Sequence, residues 1–404
     1  MKKLPLVIVG LLLVSGCVRE PRRHAPGDAR TDATVREAGA GEPDPAPVGG
    51  WRYEAQLQRA LKFLLETQNA NGSWGSPLPE RPGDIYTGGT NSFHAFGNAS
   101  SALCCMALLA QPSDAGVDTA MLKGYRYLVD APDAVRVSGD TFYNVWAQAY
   151  MLEALSRGLM DKRLEKIWPE MRKRAEFEMT RLFKIQSLDG GFGYYDFGWV
   201  LAHPTGEIST TMSATAALVG LRAAKDAGLE IPAKELKCAL EYLDRMRLPN
   251  GAYLYSTDHT YYPVNRACGI RGSLGRSQGG NCALAEWGKS VTPELIEKGF
   301  KNFVDQHMFI EIGRCRQYPH EAWYATAPYY YYFGHYYASR NLAQLKPELQ
   351  QHYAHWLADT VALTQFDDGS FWDYPLFGYT KSYGTGYGVL ILSNCRKMIR
   401  SVSP

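Results

Sequence analysis

The chain has 404 residues, of which 46% are hydrophobic, 21% charged and 12% aromatic, a profile that excludes an intrinsically disordered or fibrous protein. Forty-three Lys and Arg against 41 Asp and Glu leave a formal net charge of +2, which removes the electrostatic case for nucleic acid or another acidic polymer as partner. The aromatic share is dominated by 26 Tyr, set beside 39 Gly.

Residues 1–16 begin with two lysines, continue through an apolar stretch from Leu4 to Val14 and end in small residues. This is the pattern of a signal peptide, too short to span a bilayer as a helix. The following junction, Val14-Ser15-Gly16-Cys17, resembles the bacterial lipobox. That resemblance implies cleavage before Cys17, acylation of its thiol, and a lipid-anchored protein of the bacterial cell envelope, on its periplasmic or surface side, with the bilayer as partner. An ordinary secretory signal with an incidental cysteine is the alternative. Residues 17–50 are rich in Ala, Pro, Gly, Asp and Arg, carry Val as their only large apolar type, and read as a disordered tether. The folded domain is expected over residues 51–404.

From Trp51 onward one phrase recurs at the ends of amphipathic helices. It reads Gln68-Asn-Ala-Asn-Gly72-Ser-Trp74, Gln186-Ser-Leu-Asp-Gly190-Gly-Phe192, Arg247-Leu-Pro-Asn-Gly251-Ala-Tyr253 and Gln365-Phe-Asp-Asp-Gly369-Ser-Phe371. The glycines are 118, 61 and 118 residues apart, so degenerate copies are expected midway, near Gly139 and near Gly313 with its aromatic at Tyr318. Six units of about 60 residues follow. In each, an amphipathic helix precedes the phrase. Leu57, Leu61, Leu64 and Leu65 form the first apolar stripe, and Leu236, Leu240 and Leu243 repeat it after Pro232, with Thr292-Pro293 and Pro347 marking similar starts. After the phrase comes a second helix with little charge, expected at Asn98 to Leu109, Val145 to Leu155, Ser213 to Ala224, Gly280 to Trp287, Tyr329 to Ala338 and Gly384 to Leu392. Striped helices outside and all-round apolar helices inside make an all-α fold, an (α/α)6 toroid of six helical hairpin repeats. The phrase glycine lets the chain leave the outer helix in a left-handed turn, and the aromatic two positions on folds back as a plug.

Gln-x3-Gly-x-Trp/Phe repeats at outer-helix ends resemble the motif of squalene and oxidosqualene cyclases, whose toroid the protein prenyltransferase β-subunits share. The resemblance covers about residues 51 to 400 and implies an isoprenoid or other largely apolar ligand in the central cavity. The chemistry it implies asks for motifs that depart here. No Asp-x-Asp-Asp occurs, and the acidic doublet Asp367-Asp368 lies inside a glycine phrase. The zinc set of the prenyltransferases is matched by Cys282 in Gly280-Asn281-Cys282 and by His335, 53 residues on, without the aspartate. No metal and no cofactor is therefore expected. The seven cysteines beyond Cys17 show no Cys-x-x-Cys; most read as small core residues, and Cys268 with Cys315 is the candidate disulfide pair.

The loops between phrase and inner helix are long, and such loops tend to carry function. His320 and Glu321 are the candidate catalytic acid and base. His94, His203 and His320 are expected to converge on the mouth. Arg271 and Arg276 flank Gly272-Ser-Leu-Gly275 as a candidate anion cradle. Trp146, Tyr324, Tyr329, His335 and Tyr383 are further candidates for ligand contact, with Asn98, Ser213, Asn281 and Tyr387 as other cavity residues. Three readings stay open: a binder or enzyme for an apolar small molecule, a polysaccharide lyase or glycosidase acting on envelope or environmental glycans, and a non-catalytic binding scaffold.

Overall fold

The computed structural model describes residues 50–78, 92–134, 144–194, 208–261, 265–374 and 378–399. The signal segment, Cys17, the tether, Gly139 and His203 lie outside the described residues.

Six outer helices carry the apolar stripes: α1 (Glu54–Glu66), α3 (Ala115–Asp130), α5 (Trp168–Lys184), α7 (Ala233–Arg245), α9 (Pro293–Asp305) and α12 (Pro347–Ala362). Their starts follow from chemistry written in the sequence. Asp114 accepts from Gly116 N and Val117 N, Thr292 accepts from Leu295 N, and Pro293 and Pro347 sit in the first turn. Leu57, Leu61 and Leu64 of α1, and Leu240 and Leu243 of α7, are buried against the ring inside.

That ring consists of α2 (Ser92–Leu109), α4 (Asn144–Gly158), α6 (Thr211–Asp226), α8 (Leu274–Glu286), α11 (Tyr330–Asn341) and α13 (Tyr379–Met398). Neighbours pack in the order α2, α4, α6, α8, α11, α13, and α13 packs back on α2, so the ring is closed. The outer helices lie against this ring: α3 mainly on α2, α5 on α4, α7 on α6 and α8, α9 on α8, α12 mainly on α13 and also on α11, and α1 on α13. A four-residue helix, α10 (Met308–Glu311), follows α9. The chain therefore folds as the α/α toroid that its repeats predict. Helix α2 is long and apolar enough to cross a membrane, yet most of its length is buried as part of this ring.

Five of the six inner helices begin earlier than their apolar pattern suggests, and α11 begins at Tyr330, one residue after its expected start. Helix α8 starts at Leu274 rather than Gly280, and takes Gly275, Gly279 and Gly280 inside because neighbours come too close for side chains. A Cβ on Gly275 would lie 3.0 Å from Tyr330 O and 3.4 Å from Gly334 Cα.

The glycine phrases are the seams between units. Gly72, Gly190, Gly251 and Gly369 all take left-handed φ, between 86 and 95°. The plugs Trp74, Phe192, Tyr253 and Phe371 are fully buried. The phrase glutamine ties its own turn to the next outer helix. Gln68 Nε2 donates to Gly72 O and to Ala120 O of α3, Gln186 Nε2 to Gly190 O and to Glu235 O of α7, and Gln365 Nε2 to Gly369 O and to Gln56 O of α1. Arg247 departs from the pattern in chemistry but not in task, because its Nη1 reaches Ser290 O just before α9, at 2.8 Å.

The fifth copy corrects the sequence expectation. Gly313 is not left-handed and Tyr318 remains exposed. The left-handed residues there are Cys315, His320, Tyr324 and Ala325. Four non-glycine residues in that region between α10 and α11 mark a strained loop.

Candidate functional site

The inner helices enclose a cavity near their N-terminal ends, about 770 Å3 in volume with its open mouth included. Helix α2 contributes Ala95, Phe96, Ala99, Ser100 and Leu103; α4 contributes Trp146 and Tyr150; α6 contributes Met212; and α13 contributes Tyr379, Thr380, Tyr383 and Tyr387. Tyr329 and Phe333 come from the start of α11, and Tyr194 and Tyr374 from segments after the third and sixth plugs. Seven tyrosines, two phenylalanines and one tryptophan make ten of these sixteen residues aromatic, and none of the sixteen is charged.

Five of the seven wall tyrosine hydroxyls are engaged with other protein groups. Tyr150 and Tyr387 bond to each other, Tyr194 bonds to Tyr255 at 2.8 Å, and Tyr329 bonds to His320 Nε2 at 3.2 Å. Trp146 stacks on Tyr150 and Tyr194 and meets Phe333 edge-on. Part of the aromatic surplus noted in the composition thus lines one chamber.

Trp146, Tyr329, Tyr383 and Tyr387 stand where the sequence suggests. Other candidates do not. His94 is exposed in the first turn of α2 and is not part of the wall formed by its neighbours Ala95 and Phe96. His335 faces away from the cavity. Its Nδ1 bonds to Tyr331 O, its Nε2 lies 3.0 Å from His307 Nε2, and its ring stacks with Trp356 of α12. Helical phase explains this, because Phe333 faces the axis and two residues turn His335 by about 200° to the outer layer. Burial lowers both imidazoles, His307 to about 4 and His335 well below its ordinary value.

The two arginines do not form a cradle. Arg276 belongs to α8, is buried, and donates to the Ala267 and Tyr253 carbonyls while its guanidinium lies over the Tyr255 and Tyr330 rings. Arg271 points elsewhere: Nε to Gln306 Oε1, Nη1 to the Tyr324 hydroxyl, and its charge 4.7 Å over Phe309. Tyr324 is thereby part of this outer cluster and not of the cavity wall. Asn98 accepts from Tyr127 and Asn281 from Tyr253, so both face outward from the axis; Ser213 bonds Thr210 at the start of α6.

His320 and Glu321 separate. Glu321 forms an exposed ion pair with Arg316 at 3.6 Å. His320 sits on the strained loop with Nδ1 2.8 Å from Ala325 O, and packs edge-on against Tyr255, Tyr329 and Tyr330. Desolvation by those rings, with Arg276 nearby, lowers its pKa. It touches the cavity wall only through Tyr329.

Metal chemistry finds no group of three His, Cys, Asp or Glu placed to hold an ion among the described residues. Cys282 Sγ donates to Glu286 Oε1, and His335, its expected companion, turns instead to His307. Among the described residues no cysteine forms a disulfide, and Cys268 and Cys315 are not joined to each other.

The group that sequence reasoning missed is Asp373, two residues past the plug Phe371. Its side chain is completely buried. Oδ1 accepts from the Tyr383 hydroxyl, and Oδ2 accepts from Tyr332 N in the first turn of α11 at 3.1 Å. Burial raises the carboxyl to about 7, and those two bonds and the Arg314 charge offset burial only in part. Tyr383 is raised too, by burial first and then by the adjacent carboxylate. A second polar cluster lies at the opposite, C-terminal end of the inner ring. There Glu153 of α4 meets Arg157 and Arg340, and Arg340 continues to Glu286 at 2.6 Å. Burial opposes ionisation of Glu153, but Arg157 and Arg340 outweigh it and its pKa is lowered, so this cluster braces three inner helices as an ionic network.

Neither a family model nor a curated protein matches the sequence. Solved structures do match in shape. A D-mannose isomerase superposes with TM-score 0.55 at 14% identity, over 86% of this chain and 96% of that one. An alpha-1,6-mannanase from Salegentibacter sp. HEL1_6 gives TM-score 0.53 at 9% identity, over 86% and 100%. A type II terpene cyclase from Scytonema in complex with geranylgeranyl dihydroxybenzoate gives TM-score 0.48 at 14% identity, over 85% and 97%. At such identities the likeness is one of fold.

Proposed function

We propose that this is a lipid-anchored protein of the bacterial envelope whose toroid takes an isoprenoid or other largely apolar ligand into its central cavity. The observation that carries this reading is the cavity wall: ten aromatic residues, no charged group, and five of seven tyrosine hydroxyls bonded into the protein. Such a wall gains free energy from apolar surface at roughly 25 cal/mol per Å2 and offers a sugar few open polar partners. A glycan-cleaving enzyme of the usual kind needs two carboxyl groups across a cleft, about 5 to 9.5 Å apart. The described wall presents none, and Asp373 stands alone behind Tyr383.

Native mass spectrometry of protein purified from its own host tests the reading. A non-covalently bound lipid, separate from the acyl chains expected on Cys17, is expected on the wild type and is expected to vanish in Ala99→Trp, which fills the chamber from α2, with circular dichroism checking that the variant is folded. A co-purified glycan in its place, or a non-covalent lipid that folded Ala99→Trp retains, would overturn it.

A further inference from the structure

Four of the seven wall tyrosine hydroxyls are bonded to a tyrosine or a histidine, whereas Tyr383 donates to Asp373, a buried acid that forms no ion pair among the described residues, its neighbour Arg314 being paired with Glu311. We propose that Tyr383 and Asp373 form a switchable hydrogen-bond donor that seats the carbonyl oxygen of an otherwise apolar ligand in the cavity. This rests on the apolar reading of the chamber and names the ligand class more closely.

The geometry dictates which way the switch works. Oδ2 of Asp373 is held by Tyr332 N, so the carboxyl proton, when present, belongs on Oδ1, the oxygen that faces Tyr383. The neutral acid then donates to the tyrosine oxygen, and the tyrosine proton is released toward the cavity. The carboxylate does the reverse: it takes the Tyr383 O–H and leaves only lone pairs for the ligand. One proton on a buried group therefore changes the chamber's polar contact from acceptor to donor. No bond to carbon forms or breaks, and no co-reactant is needed.

The groups that face Asp373 are few. Arg314 approaches from the loop after α10 and is itself paired with Glu311 at 2.9 Å; Tyr332 comes from α11, Tyr383 from α13, and Cys315 N bonds the Asp373 carbonyl. Burial outweighs them, so the exchange falls near neutral pH, at about 7. Asp373→Asn provides a clean control. Its amide oxygen keeps Tyr332 N, while its N–H donates permanently to Tyr383 as the neutral acid would.

The test uses prodan, a fluorescent naphthyl ketone, titrated into the full-length protein at a series of pH values around 7. Wild-type affinity is expected to fall about fivefold from the acid to the alkaline side, the worth of one net hydrogen bond. Asp373→Asn should bind at the acid-side affinity throughout, and Tyr383→Phe weakly throughout. A wild-type profile that is flat, or that survives in either variant, overturns the switch while the apolar chamber stands. Absence of prodan binding in all three proteins overturns the chamber and the switch together.

Discussion

A carboxyl group removed from water holds its proton, and Asp373 is in that position between α11 and α13. Its folded pKa, about 7, lies above the ordinary carboxylate value, so between about pH 4 and pH 7 the folded chain binds more protons than the unfolded one. The stabilising effect of that proton is complete at the acid end and is lost as pH rises through the folded pKa. Thermal melts should therefore show Asp373→Asn gaining on the wild type between about pH 5 and pH 8, by on the order of a few kcal/mol at the upper end. Equal shifts at both pH values would mean that the carboxyl is ionised throughout. Asp373 was not legible in the sequence because a lone acid beside a plug looks like turn chemistry. Its meaning depends on Tyr383, ten residues on, and on which face of α13 that tyrosine takes. Trp146, Tyr329, Tyr383 and Tyr387 were legible as aromatics at inner-helix starts. Arg276 was misplaced because α8 begins at Leu274, ahead of the expected Gly280, and His335 for want of helical phase: in a helix buried on all sides, composition does not say which residue faces the axis.

At the scale of elements, the seams decide how firmly one unit holds the next. Gly369 is left-handed, and a Cβ there would stand 2.5 Å from Arg59 O of α1. Gly251 is equally left-handed, but a Cβ there meets nothing within 4 Å. Gly251→Ala is thus expected to cost about 1 kcal/mol for conformation alone, and Gly369→Ala about 3 kcal/mol because it also forces α12 and α1 apart. Urea unfolding of the two variants measures the difference; equal losses would show that close approach at the seam carries no weight. This layer was the most readable in the sequence. A turn that demands a left-handed glycine and a plug that must be buried leave fixed letters at fixed spacing, so the repeat survives where little else does. The fifth copy was misread because α10 intervenes there and the left-handed turn falls on Cys315, a residue that nothing in the pattern marks.

At the scale of the molecule, closure of six units sets the chamber's size and its two different ends, an aromatic one and an ionic one. The anchoring proposed for Cys17 belongs to this scale, since it would hold the toroid at a membrane where apolar ligands dissolve. Wild-type protein is expected to partition into the detergent phase on phase separation and Cys17→Ala into the aqueous phase; unchanged partitioning would remove the anchor. The seam from Gln365 to Gln56 also has a meaning in time, because it joins residues 309 positions apart. At roughly 5–20 residues per second, a ribosome needs about 15–60 s to travel that distance. For most of that interval α1 and α2 exist without α13, the inner helix on which both of them pack. The first unit made is the last to be completed, so the newborn chain must keep its own apolar edges apart until its final helix arrives.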